Sequence, residues 1–157
     1  MRNLSELNMN QRGRPANRLP PSKNDIKSFQ ASFNVVLPEE YIAFLNHSNG
    51  GHPELDAIIP IGGDVIHPRG VDHFYYLNND RDGPQSIWPR AEAWRNLLGS
   101  NFLAFAEDAG GNPYLFDLSC DPLAVCTCLH DDELSIVTVS SSFGAFIDAL
   151  AYDPDMI

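Results

Sequence analysis

Apolar residues recur at two different periods along this chain. Ile26, Phe29 and Phe33 are spaced three and four apart, the stripe of an amphipathic helix. Ser22 and Asp25 just ahead match the S-x-x-D capping box. A second helix is expected from Leu37-Pro38, since proline costs no hydrogen bond at the first helical position. Glu39 and Glu40 favour its N-terminal dipole, and Tyr41, Phe44 and Leu45 form its apolar stripe. Asn49-Gly50-Gly51 supplies residues tolerant of positive φ to end it. Residues 57–61 and 73–77, rich in β-branched and aromatic side chains, read as short strands. A third helix is expected over 88–98, with Ile87, Ala91, Trp94 and Leu98 on one face and Gly99 as its stop. From Phe102 the period falls to two. Strands over 102–106 and 114–118 flank a Gly-rich turn, and strands over 123–130 and 134–139 flank Asp131-Asp132-Glu133. Ser140 to Ser142 offer N-caps for a last helix whose inner face is Phe143, Phe146, Ile147 and Leu150. Hairpin-linked strands between helices predict an α+β fold, an antiparallel meander in the C-terminal half flanked by N-terminal, middle and C-terminal helices.

The first 21 residues show no such period. They hold isolated leucines, three prolines, Asn, Gln and Arg, and such composition predicts a flexible basic leader ahead of a single domain over 22–157. A 157-residue chain buries about 68–70% of its unfolded surface, enough for a core without disulfides or metal. The formal net charge is -11. Residues 1–27 carry six basic and two acidic groups, so residues 28–157 carry four basic and nineteen acidic ones, a formal charge of -15. No Lys or Arg follows Arg95. A field of that sign repels phosphate backbones and argues against direct nucleic-acid binding by the domain, while it suits a basic partner. The six cations of the leader segment suit RNA, an anionic membrane, the acidic face of the same domain, or solvent alone. No apolar run reaches the length of a membrane span, and the N-terminal segment lacks the apolar stretch of a secretory signal. Three clustered cysteines, Cys120, Cys126 and Cys128, suit a reducing cytoplasm better than a disulfide scaffold.

Several local patterns invite a chemical reading. Asn78-x-Asp80-x-Asp82-Gly83 copies the first half of a calcium loop, but its twelfth position is Pro89 where a bidentate glutamate belongs. An exposed acidic turn accounts for it. Cys126-x-Cys128-x-His130 would place soft ligands on one strand face, yet no second ligand pair accompanies it. The histidines at 47, 52, 67 and 73 form no helical metal-binding pair, and no nucleophile elbow or phosphate loop is present. These observations predict no catalytic residue, cofactor or metal.

The order of three motifs is more specific than any one of them. Leu37-Pro38-x-x-Tyr41-x-x-Phe44-Leu45 leading into Asn49-Gly50-Gly51 resembles the opening helix of the SUKH superfamily, the Smi/Knr-type domain. Phe105-Ala106-x-Asp108-x-Gly110-Gly111-Asn112, followed by Phe116-Asp117-Leu118, resembles its central hairpin, and Ser142-Phe143-x-x-Phe146-Ile147-x-x-Leu150 its closing helix. The resemblance covers residues 22–151. It implies a domain that works by binding proteins, without a catalytic centre. Small bacterial members are mostly immunity proteins against cognate polymorphic or contact-dependent toxins, whereas fungal members are larger regulators of cell-wall synthesis.

The resulting expectation is a cytoplasmic, non-enzymatic immunity protein that occludes a cognate toxin, a basic nuclease domain. The partner-binding residues expected are the turn acids Asp80, Asp82, Asp108, Asp131, Asp132 and Glu133. One of Tyr75 and Tyr76 would serve as an exposed aromatic anchor, because adjacent strand residues face opposite ways. A regulatory adaptor of the fungal type is one alternative. A metal-dependent hydrolase built on the 78–83 loop or the cysteine strand is another.

Overall fold

A computed structural model describes residues 1–11, 18–61, 68–129 and 133–153. After a 3-10 turn at Leu4–Leu7, the elements are α1 (Lys23–Phe33), α2 (Glu39–His47), β1 (Ala57–Ile58), β2 (Arg69–Gly70), β3 (His73–Phe74) and α3 (Ile87–Leu98). They continue with β4 (Phe102–Glu107), β5 (Pro113–Asp117), β6 (Ala124–Leu129), β7 (Ser135–Ser140) and α4 (Phe143–Ala149). Strands β3 to β7 form one five-stranded antiparallel sheet in chain order, and β1 pairs with β2. The fold is α+β with the expected meander.

The helix ends follow from local chemistry. At α1 the capping box is complete: Asp25 N–H donates to Ser22 Oγ, and Ser22 N–H donates to Asp25 Oδ2. Ser86 caps α3 and Ser142 caps α4. Pro38 stands one position earlier than expected, as the N-cap of α2, where its extended backbone turns the chain into the helix.

Two aromatic groups hold the layers together. Phe105 of β4 stacks on Phe116 of β5 at 4.4 Å, and Tyr41 of α2 meets both rings and Phe143 of α4 edge-on. Phe29 and Phe33 of α1 pack against Trp88 of α3, at 5.1 and 5.8 Å. Arg95 ties the same pair of helices by donating to the Phe33 carbonyl at 3.0 Å.

The strands expected over 57–61 and 73–77 shorten to two residues each, because side chains and loops take over the pairing. Gly51 exchanges backbone hydrogen bonds with Phe74 on the free side of β3. Asn49, buried, then acts as a strand would: its side chain accepts from Leu77 N–H and donates to Leu77 C=O, both at 2.8–2.9 Å. Gly50 between them has φ +81°, and a Cβ there would lie 2.9–3.0 Å from the backbone of residues 74–76. The Asn-Gly-Gly triplet is thus a side-chain graft onto the sheet edge. Asn49→Ala leaves two backbone groups of Leu77 without their partner and is expected to cost about 1–3 kcal/mol, read as a lower urea midpoint at unchanged m.

The flexible leader expected over 1–21 is not what the described parts of it show. Leu7 is fully buried, and its carbonyl accepts from Glu54 N–H at 2.9 Å. Asn10 exchanges hydrogen bonds with the His52 backbone, Asn8 donates to Glu54, and Arg2 binds the Leu150 carbonyl and Asp148. Farther on, Arg18 lies 3.5 Å over the Tyr76 ring, and the Leu19 carbonyl accepts from Asn49. Composition averages miss this, because the segment is held by one buried leucine, its own backbone and a few polar side chains on a surface formed elsewhere. The boundary at residue 22 therefore does not mark where packing begins.

Candidate functional site

Of the expected partner-binding acids, Asp80, Asp82, Asp108 and Glu133 lie in described loops and turns, and two of them build those turns. Asp80 Oδ2 accepts from the Tyr76 hydroxyl at 2.8 Å, while Oδ1 accepts from the N–H groups of Asp82 and Gly83. Those bonds, the tyrosine's first, hold its carboxyl below the usual range. Ser86 Oγ and Trp88 Nε1 bind the Asp80 and Asn78 carbonyls, so the loop is locked to the start of α3. The calcium-like spacing of residues 78–83 is thus used for Asx turns. Asp108 does the same in the β4–β5 turn, where its carboxylate accepts from the amides of Gly110 and Asn112 and from the Asn112 side chain. Asp82 and Glu133 are exposed, the latter at φ 52° in the β6–β7 turn. Asp131, Asp132 and His130 lie outside the described residues.

The tyrosines need correction. Neither is an exposed anchor: Tyr75 is 0% and Tyr76 2% exposed. Strand alternation does send them opposite ways, but both sides are covered. Tyr75 lies in the core, where burial first, and Glu107 next, drive its hydroxyl pKa far up. Arg18 and the 78–83 loop cover Tyr76.

Burial also shapes the cysteines. It pushes the Cys126 thiol up to about 11 and raises that of Cys128, which makes both poor nucleophiles at neutral pH.

Three surface features have no signature in the sequence. An apolar groove of about 350 Å³ is lined by Ala57, Ile58, Ile59, Pro68, Ala149 and Tyr152, among others, with Ile59 and Tyr152 partly exposed. Beside it, a smaller cleft of about 120 Å³ is lined by Asp56, Asp72 and Asp153 together with Gly70, Val71 and Ala109. The third is a cluster of titratable groups. His73 lies between Asp72 Oδ2, 2.8 Å from Nδ1, and Glu107 Oε1, 3.0 Å from Nε2. Burial alone would lower its pKa, but those two carboxylates outweigh it and hold the imidazole above its ordinary value. His52 stands with its ring 5.5 Å from that of His73, and Arg90 reaches within 3.9 Å of Glu107. The β3–β4 register, which pairs His73 with Glu107, and the Gly51–Phe74 bridge, which sets His52 beside β3, bring these residues together.

The sequence model of the SMI1 / KNR4 family (SUKH-1) matches residues 20–149, from just before α1 to the end of α4. The chain belongs to that family. Comparison with curated proteins gave no match. The SUKH-1 match contains α1 to α4 and the whole five-stranded sheet. The leader, with Leu7 and Asn10, lies almost wholly outside it. No helix among the described residues is long and apolar enough to cross a membrane.

Proposed function

We propose that this SUKH-1 protein is a non-enzymatic immunity protein that acts in the cytoplasm by binding a cognate toxin, a basic nuclease domain, and occluding it. The observation that carries the reading is the formal charge of -15 on residues 28–157. Three of the four cations of that stretch are engaged in local contacts. Arg95 reaches the Phe33 carbonyl, Arg81 lies over the Trp88 ring, and Arg90 binds the Pro84 carbonyl beside Glu107.

A nuclease must present cationic side chains to hold phosphate, and an acidic protein surface occupies that same field. Charge speeds the encounter, but desolvated apolar anchors set how long the complex lasts. Tyr75 and Tyr76 do not supply them. The groove bearing Ile59 and Tyr152 is the better source, because it adjoins the cleft lined by Asp56 and Asp153 and so joins apolar surface to negative charge. Among the described turn acids, Asp80, Asp82 and Glu133 have the exposure this role needs, and Asp80 and Asp108 also shape the loops that carry the charge. Free cysteines at 120, 126 and 128 suit a reducing compartment.

Co-expression tests the reading. Cells producing the toxin encoded beside this chain are expected to survive when the chain is present and to die when it is absent. Killing that persists in the presence of folded protein overturns it.

A further inference from the structure

The cluster at the start of β3 has the donor set of a metal site. His52 comes from the loop after α2, Asp72 and His73 from the entry to β3, and Glu107 from the end of β4. Asp72 Oδ2 lies 2.8 Å from His73 Nδ1 and 3.9 Å from His52 Nδ1. One ligand atom from each of the three residues falls within 4.8 Å of the other two. A tetrahedral first-row ion bound at about 2.0–2.1 Å holds its donors roughly 3.3 Å apart, so a shift of roughly half an ångström brings His73 Nδ1 to that spacing from Oδ2. His52 Nδ1, 2.8 Å from the Asp72 backbone carbonyl oxygen, would exchange its hydrogen bond there for the ion.

We propose that His52, His73 and Asp72 bind one divalent first-row transition-metal ion, zinc foremost, with Glu107 as the positioning residue behind His73. Three features support this. A metal-bound imidazole characteristically gives its far N–H to a carboxylate, and Glu107 Oε1 stands 3.0 Å from the far nitrogen of His73. Arg90, 3.9 Å from the same oxygen, helps to hold that carboxylate in place behind the ring. Third, Asp72 is shared with the cleft that Asp56 and Asp153 also line, a negative approach from solvent for a cation. Two imidazoles and one carboxylate suit zinc and its neighbours rather than calcium or magnesium, which take oxygen donors. The ion would also join two parts of the chain. The His52 backbone holds Asn10 of the leader, so a bond from His52 to the sheet residue His73 pins the leader's docking loop to β3.

The test uses the full-length protein stripped with a chelator, then titrated with zinc by calorimetry and with cobalt(II) by absorption. One equivalent is expected to bind at micromolar affinity or tighter and to raise the unfolding temperature. The cobalt spectrum should show d–d bands without the near-ultraviolet charge transfer that thiolate ligands produce. His52→Ala and Glu107→Gln should each weaken zinc about 10–100-fold while the far-ultraviolet circular dichroism is kept. Asp72→Asn supplies the same comparison where His52→Ala loosens the fold. Affinity weaker than micromolar, zinc binding unchanged in folded His52→Ala or Asp72→Asn protein, or a thiolate band from the cysteines overturns the proposal.

Discussion

Phe105→Ala is expected to lower the free energy of unfolding by about 3–5 kcal/mol, the range for removing a buried aromatic from a packed core. Phe105 is fully buried in β4 and contacts the rings of Tyr41, Phe74, Phe116, Phe143 and Phe146. Those five rings come from α2, β3, β5 and α4. Alanine therefore opens a hole where the helical layer meets the sheet, and no single neighbour can swing in to fill it. Whole domains are stable by only about 5–15 kcal/mol, so the variant sits near the edge of folding at 37 °C. Urea unfolding followed by circular dichroism measures the loss, with Val36→Ala, at a position 83% exposed, as a control expected to move by less than about 0.5 kcal/mol. A Phe105 loss as small as that of the control would contradict the packing described.

Leu7→Ala is expected to cost about 2–5 kcal/mol, although it lies in a segment whose composition reads as a solvated leader. Its side chain belongs to the main core cluster, and the carbonyl beside it receives Glu54 N–H. The loss combines the leucine's burial with the loosening of contacts that Asn8 and Asn10 make just after it. Leu19→Ala, at a position 84% exposed in the same leader, should be close to neutral. The pair separates two pictures by the urea midpoint. If both variants match the parent, the leader is not part of the folded unit.

The difference between those two leucines shows where sequence reading fails. Period-two and period-3.6 patterns reveal elements whose buried face is internal to the element, and α1, α3, α4 and the β4–β7 meander were legible that way. Leu7 has no periodic neighbours, and its burial is decided by a surface more than forty residues away in sequence, around Glu54. The strand expected over 73–77 failed for a related reason. Asn49 supplies its hydrogen bonds from a side chain, and Tyr76 turns instead to bond with the segment that begins α3.

Asp80 and Asp108 were legible as turn residues but not as the groups that build those turns. Asx chemistry explains this: a carboxylate that accepts its own loop's amides builds the turn that carries it. Asp80 and Asp108 follow that rule. The cluster of His52, Asp72, His73 and Glu107 draws on three separate segments, so no spacing rule in one segment reveals it.

The most direct measurement is the rate at which the purified protein associates with the toxin encoded beside it, taken across a range of salt concentrations. Steered association between an acidic surface and a basic one should approach about 10⁸ M⁻¹s⁻¹ at low salt and fall steeply as salt screens it, with nuclease activity lost at one equivalent. Association whose rate ignores salt, or a complex in which the nuclease stays active, would contradict the account.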